Sequence, residues 1–249
     1  MKRTLMIAFL FSGFIALAQQ QPIEVNNTKN QTVQTDSVPK TAIRTPRFIL
    51  NMHAGPSFRT AKSAPVANQQ QADYIDELKS GFSYDLSAYY LKDHMSGFGI
   101  KYNSFNSTGS ISGQTLTDFE GNTAVGRGSD DITITFIGPA AIVFGKGIFE
   151  YDHISIEMAL GYIAYKNNIS ILENSYKITG GNLGISTTAA YHFGILKNLL
   201  IGPGVSFTGG VLGKVDVEGR NFSETIKFED EEKESLYRFD ITVGARYIF

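Results

Sequence analysis

The sequence predicts an all-β fold: an eight-stranded antiparallel up-and-down β-barrel that crosses a membrane. Three observations carry this expectation. Apolar and polar residues alternate with period two over stretches longer than ordinary globular strands. Glycine is frequent, at 25 residues, and aromatic residues make up 12%. The connections between the alternating stretches are short and long in turn, as in barrels with tight turns at one rim and longer loops at the other.

Composition narrows the function classes. The 249 residues carry a formal net charge of −2, so no basic stripe is available to neutralise nucleic-acid phosphates, and no nucleic-acid partner is expected. The absence of cysteine excludes a disulfide framework, a thiolate metal site and a lipid-anchored N-terminal cysteine. With four histidines, none at shared-ligand spacing, no metal site and no cofactor are expected.

Residues 1–18 have the form of an export signal. Lys2 and Arg3 precede a mostly apolar run, Leu5 to Leu17, and Ala16-Leu17-Ala18 is a small-x-small cleavage site. The run is shorter than the roughly 20 residues that a membrane-spanning helix requires. Residues 19–46, rich in Gln, Asn and Thr, lack apolar periodicity and are expected to form a disordered periplasmic tail.

Residues 47–249 are the expected barrel. Phe48, Leu50, Met52 and Ala54 alternate with Ile49, Asn51, His53 and Gly55 in the first strand. Phe82 to Tyr90, Phe98 to Tyr102, Asp131 to Phe136, Ile154 to Tyr162, Ile185 to Phe193 and Leu199 to Thr208 give six more. In the stretch 131–136 the apolar set is Ile132, Ile134 and Phe136. The eighth strand places Tyr237, Phe239, Ile241, Val243, Ala245, Tyr247 and Phe249 on one face, with Arg238, Asp240, Thr242, Gly244 and Arg246 on the other. Residues 59–80, 106–130, 166–178 and 214–235 are expected as long outer loops, and Lys92 to Gly97 and Leu196 to Asn198 as short periplasmic turns. Pairing of Gly109 to Thr117 within its loop would raise the strand count to ten. A soluble lipocalin-like barrel is the rival fold, with its apolar face turned inward to a ligand.

With its signal end Ala16-Leu17-Ala18-Gln19-Gln20, the runs Phe136-Ile-Gly-Pro-Ala140, Gly161-Tyr162 and Gly202-Pro-Gly-Val205, and the terminal Arg246-Tyr247-Ile248-Phe249, the chain resembles small outer-membrane β-barrel proteins. The general class is that of the OmpA transmembrane domain and OmpX, and of the "outer membrane beta-barrel protein" families of Bacteroidota. The resemblance covers residues 47–249. It implies an outer-membrane location, and recognition of Phe249, with Tyr247, by the barrel-assembly machinery. It implies no catalytic residues.

Parity directs Asp85, Lys101, Glu157, His192, Arg238, Asp240 and Arg246 into the lumen. Counted from the short-turn rim, Lys101, Glu157, His192 and Arg246 fall at similar depth, in the periplasmic half. Eight strands leave an interior that side chains just fill, and opposite charges held there must pair. The expected result is a polar plug, and the alternative is an ion or small-solute path. Tyr84, Tyr90, Tyr102, Tyr162, Tyr191, Tyr237 and Tyr247 face outward as interface girdles. Partners expected are outer-membrane lipids and a surface partner at the four long loops.

One catalytic pattern is present. His153-Ile154-Ser155 followed by Glu157 is similar to the arrangement in outer-membrane lipid A deacylase, where His activates Ser for ester attack. Parity turns Ser155 and Glu157 inward near a short turn, away from lipid, and a non-enzymatic role is expected. The acidic run Glu229 to Glu232 reads as a solvated loop. Val215 to Asn221 still alternates and, with Glu224 to Phe228, is expected to form a hairpin beyond the membrane, suited to edge pairing with a partner.

Overall fold

The structure is a computed structural model that describes residues 48–60, 68–119, 121, 123–220, 223–229 and 233–249. The leader at 1–18 and the tail at 19–46 lie outside the described residues. Eleven strands run in chain order: β1 (Phe48–Arg59), β2 (Ser80–Leu91), β3 (Ser96–Thr117), β4 (Thr123–Lys146), β5 (His153–Ile171), β6 (Asn174–Leu196), β7 (Leu199–Leu212), β8 (Lys214–Glu218), β9 (Ser223–Lys227), β10 (Glu234–Ser235) and β11 (Arg238–Ile248). Among the described residues there is one helix, α1 (Gln69–Lys79), between β1 and β2. The ring order is β7-β11-β1-β2-β3-β4-β5-β6, closed by pairing of β6 with β7, which makes an eight-stranded antiparallel barrel.

Short turns gather at the rim that also holds Phe48 and Phe249, called here the turn end. The Asp93 carboxylate closes the β2–β3 turn by accepting from the Met95 and Ser96 amides at 2.8 and 2.7 Å and from Ser96 Oγ at 2.7 Å. These hydrogen bonds hold the Asp93 carboxyl below the ordinary aspartate range. Tyr191 Oη donates to Asp152 at 2.7 Å and accepts from the Ile148 amide at 2.9 Å, tying the β4–β5 turn to the wall.

The opposite rim, the loop end, departs from the expectation of long loops. Residues 106–130 and 166–178 are mostly hairpin. β3 and β4 stay in register from Ser96–Val143 out to Thr117–Thr123, with one irregularity between Ser112 and Gln114. β5 and β6 pair as far as Ile171–Asn174. Ser, Thr and Asn on the outer face meet water, while Ile111, Ile132 and Tyr176 are buried on the inner face, so the sheet continues where a turn-rich composition suggests loops. The strands β3–β6 have 22, 24, 19 and 23 residues, against 12, 12 and 11 in β1, β2 and β11, so one side of the barrel is a tall wall. The expected hairpin in 214–235 is β8–β9, and β8 joins the loop-end stretch of β6. The extra strands lie along edges, and the ring itself stays at eight.

Helix α1 occupies the segment expected as the first loop. Asn68 Oδ1 caps it by accepting from the Gln71 amide at 2.9 Å. The helix lies on the luminal face of the tall wall: Ser107 Oγ donates to the Leu78 carbonyl at 3.0 Å, and Tyr74 hydrogen-bonds Asp130. A Cβ on Gly109 would come within 3.0 Å of Leu78, so glycine is what lets the helix approach β3.

Candidate functional site: a charged network across the lumen

The outer face of the barrel sets the frame. Leu50, Met52, Leu86, Ile100, Met158, Leu160, Val205, Ile241 and Val243 are exposed, in outward register on their strands. Along β5 the apolar band from Ile154 to Tyr162 extends about 27 Å along the strand, or about 20 Å along the barrel axis at a tilt near 40°. That matches the lipid-facing belt of a membrane barrel. Aromatic clusters bound it: Phe48–Tyr90, Tyr247–Phe249 and Tyr191–Phe193 at the turn end, and Tyr84–Tyr102 and Phe207–Tyr237 toward the loop end.

Within this belt the lumen is polar, and its centre is the Glu157 carboxylate on β5. Oε1 accepts from Asn51 Nδ2 at 2.6 Å, and Oε2 accepts from Tyr89 Oη at 2.9 Å and Ser87 Oγ at 3.2 Å. Two cations flank it, Lys101 Nζ at 3.3 Å and Arg246 Nη2 at 3.7 Å. Lys101 also reaches Asp85 Oδ2 at 2.9 Å and Thr188 Oγ1 at 2.6 Å. Arg246 donates to Asn51 Oδ1 at 2.8 Å and Ser155 Oγ at 2.7 Å, with its guanidinium 5.9 Å from the Phe144 ring centroid. β1 and β5 stand on opposite sides of the ring, so the Asn51–Glu157 hydrogen bond spans the full bore. Every charged member is essentially without solvent exposure, and only dense pairing offsets the desolvation of so many ions.

Two further groups fill the same half. His53 and His192 face each other, Nε2 to Nε2 at 3.1 Å, so one ring donates and the other accepts. His53 fits only because position 244 is glycine; a Cβ there would collide with the imidazole. Nearer the loop end, Asp240 accepts hydrogen bonds from Ser57 and, at 3.2 Å, from Ser206, and it stands 3.5 Å from Arg238 Nε. The Arg238 guanidinium lies 5.7 Å from the Phe105 ring centroid.

Beyond the belt the inside turns apolar. Phe105, Ile132, Ile134, Phe136, Ile163, Leu212, Val217 and Leu236 are buried there, with Leu78 of α1 packed against them. Burial lifts the Tyr165 phenol in this region to about 12. Ile132, Ile134 and Phe136, read from the sequence as one more apolar strand face like the others, therefore point into the lumen, while Ile137 and Val143 on the same strand face outward. On its outer face this stretch carries Thr133, Thr135 and Lys166 in place of the belt's apolar residues, so the apolar face turns inward as in a soluble protein.

The structure thus brings together Asp85, Lys101, Glu157 and Arg246, sets His192 against His53 beside them, and holds Arg238 with Asp240 at a separate level. Asn51, Ser87, Tyr89 and Thr188 are network members that a count of charges passes over; their inward parity was the available signal. Ser155 Oγ is engaged by Arg246, and His153 stacks on Phe144, so the His-x-Ser pair does not form a nucleophile–base contact. His94 is exposed in the β2–β3 turn. Phe249 is exposed at the turn end, its amide donating to the Phe48 carbonyl at 3.0 Å.

No protein-family model and no curated protein matches the chain. Solved structures do. A major outer membrane protein from Thermus thermophilus aligns with a TM-score of 0.55 at 9% identity, covering 82% of this chain and 98% of its own. OprG from Pseudomonas aeruginosa aligns at 0.46 and 12% identity, covering 82% and 96%. Neisserial surface protein A aligns at 0.43 and 15%, covering 81% and 97%. At such identities the likeness is one of fold: the chain has the fold of small outer-membrane β-barrel proteins.

Proposed function

We propose that this protein is an outer-membrane barrel closed by its own side chains, with a structural and surface-contact role carried by its tall wall. The observation that supports a closed lumen is the hydrogen bond from Asn51 to Glu157 at 2.6 Å, joining strands on opposite sides of the ring. Donors from β2, β3 and β11 converge on the same carboxylate. A hydrated ion passing this point would have to break several charge-assisted hydrogen bonds at once, each stronger than a neutral one. The packed core beyond it, built around Phe105, Ile134, Phe136 and Ile163, adds a second barrier.

In this reading the turn end faces the periplasm and the tall wall stands outside the cell. The β8–β9 hairpin extends that wall, and among the described residues β9 has a strand neighbour on one side only. Its free edge, Ser223–Lys227, is the surface we assign to strand addition by a partner. Insertion follows the terminal aromatic Phe249, with Tyr247, as the assembly signal.

The test is single-channel recording in planar bilayers with the full-length protein, after a boiling-dependent gel shift has verified a closed barrel. The expected record is silent. A reproducible open state would overturn the plug and favour a small-solute or ion pore.

A further inference from the structure

A groove on the outer wall has a composition that neither the plug nor the free edge explains. It has a volume of about 550 Å³ and is lined by outward residues of β4, β5, β6 and β8 together with Tyr165 and Gly180, just beyond the apolar belt. The strand register lays it out in three successive rows. The first, Ile137–Tyr162–Leu183, is the last row of the belt. The second, Thr135–Ala164–Gly181, is made of small side chains and forms a shallow floor. The third, Thr133–Lys166–Thr179–Asp216, is polar.

Lys214 closes the side of the floor. A Cβ on Gly180 would come within 3.1 Å of its backbone carbonyl. The Tyr162 ring folds over Gly181, where a Cβ would collide with the phenol oxygen, so its hydroxyl sits at the floor itself. Asp216 Oδ1 accepts from Thr225 Oγ1 at 2.6 Å, whereas Lys166 and Lys214 enter no ion pair with the described residues. Successive outward rows lie about 7 Å apart along the strand, or about 5 Å along the axis at a tilt near 40°. The backbone of the third row therefore stands about 10 Å beyond the last belt row. The Lys166 stem reaches back toward the belt to set its ammonium in the headgroup layer, which adds roughly 5–8 Å to each side of the hydrocarbon core.

We propose that this groove binds the phosphate headgroup of an anionic lipid of the surrounding bilayer, with Lys166 and Lys214 on the phosphate and an acyl chain lying on Ile137, Leu160 and Leu183. Tyr162 Oη donates a third hydrogen bond from the floor. A lipid is favoured over a soluble anion because the charged cup opens directly onto the apolar belt, matching an amphiphile at both ends. The inference rests on the reading that the belt lies in lipid.

The test is native mass spectrometry of the full-length protein released from nanodiscs of phosphatidylcholine with a minor fraction of phosphatidylglycerol. Retained phosphatidylglycerol is compared across variants. Lys166→Gln/Lys214→Gln is expected to lose it roughly thirtyfold, at the strength of two lysines facing an anionic lipid surface. Lys92→Gln/Lys197→Gln, which removes the same charge at the turn end, is expected to retain it. Ala164→Phe, which fills the floor and keeps both lysines, is expected to lose it. Equal retention in the two double variants, or full retention in Ala164→Phe, would overturn the site. The boiling-dependent gel shift is read on every variant: a shifted barrel without selective retention defeats this inference alone, whereas a wild-type chain that never shifts defeats the membrane reading and this inference with it.

Discussion

The two halves of the lumen are closed by opposite means. Inside the belt, Glu157, Lys101, Asp85 and Arg246 interlock, and the outward side chains are apolar. Beyond it, Phe105, Ile134, Phe136 and Ile163 pack together, and the outward positions are Thr133, Thr135, Lys166 and Thr179. The medium outside the wall decides which face is apolar. Along the belt the outward face is apolar and the inward face holds the ion network beside Ile49, Ile142 and Phe144; beyond it the outward face turns polar and the inward face becomes an ordinary core. The reversal occurs within consecutive residues, at Phe136–Ile137 on β4 and Tyr162–Ile163 on β5, where one side chain of each pair is buried and its neighbour exposed. On β4 and β5 these adjacent apolar pairs mark the level at which the apolar set passes from the outward to the inward face.

The largest effect that would break this comparison is removal of the hub. Glu157→Ala leaves Arg246 buried with no carboxylate partner and Lys101 with Asp85 alone, and is expected to destabilise the barrel by about 3–5 kcal/mol. Urea unfolding in detergent micelles measures it, and a loss well below this range would show that the network is not holding the polar half. The double replacement Glu157→Met/Arg246→Met, which keeps the Lys101–Asp85 pair, should recover part of the loss.

A matched pair sharpens the apolar half. Ile134→Ala empties part of the inner core and is expected to cost about 2–5 kcal/mol. Ile137→Ala, three positions along the same strand but facing outward, leaves no packed cavity and should cost about 1 kcal/mol or less, near one buried methylene or two. Equal losses at the two positions would contradict the reversal of faces.

A smaller effect separates structure from catalysis. Ser155→Ala removes an acceptor from the buried Arg246, at about 1–3 kcal/mol. The cellular lipid profile is expected to stay unchanged, since Ser155 points into the bore; an altered profile would revive the enzyme reading.

The smallest expected effect lies at the turn end. The Asp93 carboxyl is held below its ordinary value by the amides it accepts from, so its contribution is present above the unfolded aspartate value and fades as pH falls through the lowered one. The Met95 and Ser96 amide resonances should titrate together at a midpoint below that of an unstructured aspartate. A midpoint at or above the ordinary value would mean that the turn does not close on Asp93.

Much of this was legible from residue order. Long period-two alternation with Arg238, Asp240 and Arg246 opposite Phe239, Ile241 and Val243 can only be a strand between two unlike media, and parity alone directed the seven charged residues inward. The helix α1 was not legible, because Gln69 to Lys79 buries no side chain fully and its signal was confined to the Asn68 cap and the Tyr74–Leu78 spacing. The loop-end hairpins were hidden by their Ser, Thr, Gly and Asn content, which reads as loop when the partner strand is unknown. The groove of Lys166 and Lys214 joins residues from separate hairpins, and nothing local to either lysine points to the other.

Residue order by itself therefore determined the eight strands of the ring, the facing of each strand within the belt and the charge held inside, because a two-residue period is a local property of the backbone. Tertiary structure decided the rest: which of the inward groups became the hub, how far the wall rises, and where the inward face turns from polar to apolar. Those depend on ring closure, which sets Asn51 opposite Glu157 across the bore and brings β8 alongside β6, and on the change from lipid to water along the outside of the same strands.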